Sequence, residues 1–150
     1  MIAAERFDSP DVQALAAAQQ AEMHGIYGEA DIGPARVADM FVEPDGTFLV
    51  ARDEAGRAVA CGGLCRYDEG RAELKRMYVV PEARGRGLGR LVLEELEAAA
   101  RRLGYRGVVL ETGDRNVEAL GLYRASGYDP IPCYGAYATR PLSVCLEKRL

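Results

Sequence analysis

The segment Val79–Arg90, VVPEARGRGLGR, constrains this chain more than any other. It places Gly85, Gly87 and Gly89 at alternate positions between a β-rich run and a strongly patterned helix. In such a turn, backbone N–H groups approach a ligand with no side chain in the way, and the helix dipole adds positive potential. Each hydrogen bond to a charged oxygen contributes about 1.5–3 kcal/mol, so three or four would anchor a diphosphate. The bland reading is a tight turn that merely needs glycine. The neighbouring arginines and the helix that follows favour an anion site instead.

The pattern on either side predicts the scaffold. Residues 2–7 read as a short strand, and Ser9-Pro10-Asp11 as a helix start with Ser9 as N-cap. That helix is expected to run to about Met23 and end near Gly25, followed by a loop over Gly25–Gly33 and a short helix from Pro34 to about Val42. Strands are predicted at 47–52, 58–67 and 72–80, joined by tight turns that suit antiparallel hairpins. Leu88, Leu91, Val92, Leu96, Ala99, Ala100 and Leu103 then recur at helical spacing, with Glu97 and Arg101 expected to pair on an outer face. A strand at 108–112, a helix at 116–126 and strands at 128–131 and 142–147 complete the order. The expectation is one α/β domain over residues 1–150. Its mixed central sheet is antiparallel in the N-terminal half, with a βαβ crossover in the middle and about four flanking helices.

Which anion the turn holds is narrowed by what is missing. A P-loop needs Gly-Lys-Ser/Thr, and no lysine lies in the turn. A dinucleotide fingerprint needs a third glycine where Arg90 stands; Glu111 could imitate the ribose-binding acid, but three antiparallel strands before the turn are the wrong scaffold. The net charge of −4 argues against a nucleic-acid partner and suits a cationic small molecule somewhat better. No apolar run approaches the roughly 20 residues that cross a bilayer, and the start lacks a secretory pattern. A cytoplasmic protein with no membrane partner is therefore expected, its four cysteines reduced and buried as small hydrophobes. Cys61 and Cys65 sit about 13 Å apart along one strand, too far to share a zinc, so no metal is expected.

Arg84-Gly85-Arg86-Gly87-Leu88-Gly89 resembles Arg/Gln-x-x-Gly-x-Gly/Ala, the acyl-CoA signature of the GNAT superfamily of N-acetyltransferases. Upstream, Glu73–Pro81 looks like the family's fourth strand. Downstream, Asn116 to Tyr128 resembles its second signature, Asn-x-x-Ala-x-x-x-Tyr-x-x-x-Gly-Phe/Tyr. The resemblance covers roughly residues 47–150, and the stretch Gly127–Leu150 is similar to the ending of small bacterial members. It implies acetyl-CoA as co-substrate. Val79 would bind the pantetheine arm, and an N–H near Met77 or Tyr78 would polarise the thioester carbonyl. Arg86 to Arg90, with Gly87, Leu88 and Gly89, would surround the diphosphate, and Arg84 and Arg90 would meet phosphate directly. A homodimer is compatible with it.

Transfer to an amine poses a proton problem: neutralising an amine of pKa about 10.4 at pH 7 costs about 4.6 kcal/mol. A positioned base recovers part of that, typically about 10²–10⁴-fold in rate. By resemblance Glu73 is the candidate base, and strand period two is expected to set it on one face with Met77 and Val79. A Glu73 that merely pairs with Lys75 or Arg71 is the plain alternative. Tyr123 matches the tyrosine that protonates the leaving CoA thiolate. Asn116 is expected to cap its helix and to touch pantetheine or phosphate. For the acceptor, Glu22, His24 and Tyr27 close the first helix where the family builds its substrate pocket, and Tyr134 and Tyr137 are placed to wall it. An N-acetyltransferase acting on a small-molecule or protein amine is the leading expectation. A non-catalytic acyl-CoA sensor is the alternative, and a nucleotide-binding oxidoreductase ranks below it.

Overall fold

A computed structural model describes residues 1–28 and 38–150. Seven strands form one sheet in the order β1-β2-β3-β4-β5-β7-β6: β1 Ile2–Ala4, β2 Thr47–Arg52, β3 Ala58–Arg66, β4 Arg71–Val79, β5 Gly107–Gly113, β6 Asp129–Ile131 and β7 Ser143–Arg149. The first four pair antiparallel, as the short turns require. The crossover through helix α2 (Leu88–Arg102) then makes β4 and β5 parallel. Helix α1 (Pro10–Tyr27) packs with Phe41, Phe48 and Cys61 on one face of the sheet. Helices α2 and α3 (Val117–Ala125) bury Leu93, Leu96 and Tyr123 on the other. The described helices are thus three α-helices and three short 3-10 turns, against the four expected.

Several sequence expectations change once packing is taken into account. Helix α1 runs past Gly25 to Tyr27 and stops at Gly28, whose left-handed backbone donates to the His24 carbonyl. Ser9 stands at its N-cap position through its backbone only; its buried Oγ makes no hydrogen bond. Of the helix expected over 34–42, residues 34–37 lie outside the described residues and Ala38–Phe41 form a 3-10 turn; residues 29–33 of the expected loop also lie outside.

On α2 the buried face is rotated from the one expected. Leu91 is 48% exposed and Leu93 only 1%. Positions 93, 97 and 100 share the inward line, so Glu97 is buried and not paired with Arg101. Its carboxylate accepts from Tyr128 Oη at 2.8 Å and Lys148 Nζ at 2.9 Å. A buried charge needs such partners, and both come from chain that follows the helix by 25 residues or more.

Two of the four cysteines are joined, which overturns the expectation of four reduced thiols. The β6–β7 register sets Ile131 opposite Cys145, and two residues later the chain brings Cys133 to a Cα–Cα distance of 5.1 Å from Cys145, where the two form a disulfide. Cys61 and Cys65 are free and buried; burial pushes the Cys61 thiol up to about 12. Closing this loop constrains the unfolded chain by about 3 kcal/mol. Cys133→Ser is therefore expected to lower the unfolding free energy in urea by about that amount, and dithiothreitol to lower it equally in the unmutated protein but not in the variant.

Candidate active site

Strands β4 and β5 pair over only three residues, Arg71–Glu73 with Gly107–Val109, and then part. Strand β5 keeps its other edge on β7 along its whole length, while the second half of β4 stays with β3. Between the parted ends lies a cavity of about 380 Å³, closed by the glycine turn, α3 and the end of α1.

The glycine turn has a geometry compatible with an anion. Gly85 and Gly87 both stand at φ 78°, where a side chain would be strained, whereas a Cβ on Gly89 would meet Leu122 and Val79 only at ordinary contact distance. Gly87 occupies the N-cap position of α2 with no side chain to cap it, and the first helical turn holds no acid. The N–H groups of Leu88, Gly89 and Arg90 thus have no intrahelical acceptor, and the positive end of the dipole meets no internal anion. These residues suit a diphosphate. Arg84 acts elsewhere. Its Nε donates to Val79 O at 2.9 Å and its NH2 to Glu22 at 2.7 Å, and that carboxylate raises the guanidinium pKa further. Arg84 and Glu22 therefore staple the turn to α1. Arg90 lines the cavity and pairs with Glu94 at 2.8 Å; Arg86 does not line it.

Strand β4 carries a bulge. Arg76 has φ 61°, and the β3–β4 register shifts between Cys61 and Gly63. The extra residue breaks period two. Ala72, Leu74, Met77 and Val79 join the α2 side, whereas Glu73 opposite Cys65 and Tyr78 opposite Cys61 belong to the α1 side. Glu73 consequently lies on the face opposite Met77 and Val79, not with them. It is 6% exposed, 3.7 Å from Lys75, and accepts from Tyr134 Oη at 3.0 Å. Burial and Glu73 together raise the Tyr134 phenol well above its usual range. Neither Glu73 nor Tyr134 lines the cavity; Lys75 and Tyr137, hydrogen-bonded to each other, do.

The open edge of β4 is arranged through its carbonyls. Met77 O accepts from Gln19 Nε2 at 2.9 Å, and Val79 O from Arg84. Val80 N–H points the other way, to Val59 O on β3. Strand alternation therefore turns the N–H groups of Met77 and Val79 towards the cavity, and that of Tyr78 towards β3. Across the gap, β5 contributes Glu111, whose carboxylate accepts from Ser143 Oγ at 2.6 Å and Arg140 NH1 at 3.4 Å. Tyr123 of α3 lines the cavity while 5% exposed; burial, and then the Glu111 charge, raise its phenol above 10, so it is held protonated. Asn116 also lines the cavity. It does not cap α3 with its side chain, because Nδ2 donates to Thr112 Oγ1 at 3.3 Å and ties the helix start to β5.

Of the residues expected for the acceptor, Glu22 and Tyr27 line the cavity, and exposed His24 does not. Tyr27 Oη accepts from Arg115 N–H at 2.9 Å, and its ring lies beneath Arg115 and Arg140. Sequence reasoning gave no site role to Gln19, Arg140 or Glu111, the last having been weighed only as a ribose-binding acid and set aside. The signal for Glu111 was a carboxylate closing an otherwise apolar strand.

Residues 12–128 match the Acetyltransferase (GNAT) family. An IAA acetyltransferase of Azospirillum brasilense is 42% identical over 109 residues, 72% of this chain and 71% of that protein. A Klebsiella pneumoniae structure, assigned as an acyl-CoA N-acyltransferase, superposes at TM-score 0.86 with 32% identity, covering 100% of this chain and 97% of that one. A GNAT acetyltransferase of Elizabethkingia anophelis with acetyl-CoA bound shares the fold at TM-score 0.70 and 18% identity, covering 100% and 97% of the two chains. Fold and site together define an acyl-CoA-dependent transferase. The chain belongs to the GNAT family of acetyltransferases.

Gly113 is where β5 meets Tyr27: a Cβ there would overlap the phenol group. Gly113→Ala is expected to push Tyr27 off Arg115 and to destabilise the protein by about 1–3 kcal/mol, read from denaturant unfolding.

Proposed function

We propose that this enzyme transfers the acetyl group of acetyl-CoA to a primary amine by direct attack within a ternary complex. The observation that carries the reading is the cavity itself. It joins an uncapped helix N-terminus, an outward-turned strand edge and a buried phenol in one continuous space. The diphosphate sits on the amides from Gly85 to Arg90, with Asn116 beside it. The pantetheine arm follows the open edge of β4, and Met77 N–H, fixed by the strand, meets the developing oxyanion. That edge already has its Met77 and Val79 carbonyls served by Gln19 and Arg84, so it presents donors to the arm and the thioester.

Proton handling divides between two residues. Glu111 lines the cavity and takes the ammonium proton directly or through water; Glu73, one layer behind Lys75, holds that lysine in place. Tyr123 gives its proton to the departing thiolate. Its pKa is raised above 10, so the acid is present in full below that pH, and its ionisation sets no alkaline limb between pH 7 and 9.

Three measurements test these roles. Tyr123→Phe is expected to lower kcat by about 10²-fold at every pH from 7 to 9 with the KM for acetyl-CoA unchanged. Glu111→Gln is expected to cost about 10²–10⁴-fold in kcat/KM at pH 7, and Glu73→Gln less than about tenfold. A loss of that size in Glu73→Gln, with Glu111→Gln near the unmutated rate, would return the base to Glu73. Absence of heat on titration with CoA would remove the whole reading.

A further inference from the structure

The Cys133–Cys145 disulfide stands beside the group proposed to take the amine proton. Cys145 of β7 lies directly opposite Glu111 of β5, and Ser143 donates to the Glu111 carboxylate at 2.6 Å. Cross-strand partners, and residues two apart on one strand, share a face of the sheet, so Cys145, Ser143 and Glu111 face the same way. The segment 134–142 that the disulfide closes supplies Tyr137 and Arg140 to the cavity lining. Its backbone hydrogen bonds from Tyr137 N–H to Tyr134 O and from Arg140 N–H to Tyr137 O close local turns and do not fix it to the sheet. At its end Leu142 O accepts from Asp114 N–H, which anchors the start of β7 to the close of β5. Further back, side chains make the attachment: Tyr134 reaches Glu73, Tyr137 reaches Lys75 and Arg140 reaches Glu111. The chain enters this segment from β6, an edge strand of three residues whose middle one, Pro130, has no N–H to give β7. The disulfide pins the far end of that strand to β7 and keeps these side chains concentrated beside their partners.

We propose that the disulfide is a redox switch on acyl transfer: a dithiol reductant opens it, segment 134–142 leaves the cavity wall, and transfer slows while acetyl-CoA still binds. This rests on the acyl-transfer reading above. Cys133 is half-buried and Cys145 only 2% exposed, so attack falls on Cys133 Sγ. A thiolate of the reductant bonds to that sulfur, the S–S bond breaks, and Cys145 leaves as a thiolate that takes up a proton. The second thiol of the reductant then displaces Cys133, which is protonated in turn. The products are two protein thiols and the cyclic disulfide of the reductant, two electrons and two protons having passed to the protein. Opening removes Tyr137 and Arg140 from the lining and takes one donor from Glu111. The glycine turn keeps its place, because Arg84 fastens it to Val79 O and Glu22, outside the closed segment.

The test compares oxidised enzyme with enzyme reduced by dithiothreitol and then freed of it by anaerobic gel filtration. Thiol release from acetyl-CoA is read with glycine, lysine, spermidine and phenethylamine as probe acceptors, and with water alone. Reduction is expected to lower kcat/KM about fivefold or more for every probe turned over, with calorimetric affinity for acetyl-CoA unchanged. Amide hydrogen exchange should quicken over 134–142 and stay as it was over 85–90. Re-oxidation with an oxidised dithiol should restore the rate. Cys133→Ser should show the reduced enzyme's rate and no response to dithiothreitol. Equal rates in the two redox forms, or unchanged exchange over 134–142, would overturn the proposal and leave the acyl-transfer reading intact. A matching loss of acetyl-CoA affinity would overturn it too, since the effect would not be confined to the wall. Absence of heat with acetyl-CoA, or of thiol release by the oxidised enzyme, would remove the acyl-transfer reading and this inference with it.

Discussion

Strands β4 and β5 share a sheet, yet they stop pairing after three residues, and the site exists because of that parting. Two strand edges released inside a protein leave backbone groups that must be satisfied in another way. Strand β5 is held in place by β7 on its other edge from Gly107 to Gly113, a pairing that leaves its groups facing the gap to be met from elsewhere. On β4 the carbonyls of Met77 and Val79 are taken by Gln19 from α1 and by Arg84 from the glycine turn. The side chains that stabilise the open edge therefore also fasten α1 and the turn around it, and Glu22 locks the second of these contacts.

The bulge at Arg76 divides the labour of β4. Before it, Glu73 and Lys75 face the α1 side and meet the hydroxyls of Tyr134 and Tyr137. After it, Met77 and Val79 turn to the α2 side beside the glycine turn. One strand thus supplies an ionic wall and a hydrogen-bonding edge, which an unbroken period of two would have put in a different relation. The loop between β6 and β7 completes the ionic wall. Tyr134, Tyr137, Arg140 and Ser143 all lie between the two disulfide cysteines, and each bonds to a charged group of β4 or β5.

The strand, glycine turn and helix proposed to hold the cofactor were legible as elements in the chain because they are local. A glycine turn, the helix it opens and the strand before it occupy a single short stretch of consecutive residues, and Gly85 to Gly89 act through backbone whose conformation their own identity sets. The positions of Asn116 and Tyr123 followed from a second local pattern, and both line the same cavity. The order of strands along the chain, the antiparallel first half and the crossover between β4 and β5 were equally readable from turn lengths and apolar periodicity.

What the sequence could not set was everything that depends on distant partners. No pattern marks Arg76 as a bulge, so the face of Glu73 was misjudged; no spacing pairs Cys133 with Cys145, Glu97 with Lys148, or Glu111 with Arg140. Those meetings depend on sheet order β4-β5-β7-β6, which brings the end of the chain back against its middle. Local steric and hydrogen-bonding preferences wrote the glycine turn and the uncapped helix start into consecutive residues. The ion pairs that line the rest of the cavity, by contrast, join side chains that only packing makes neighbours.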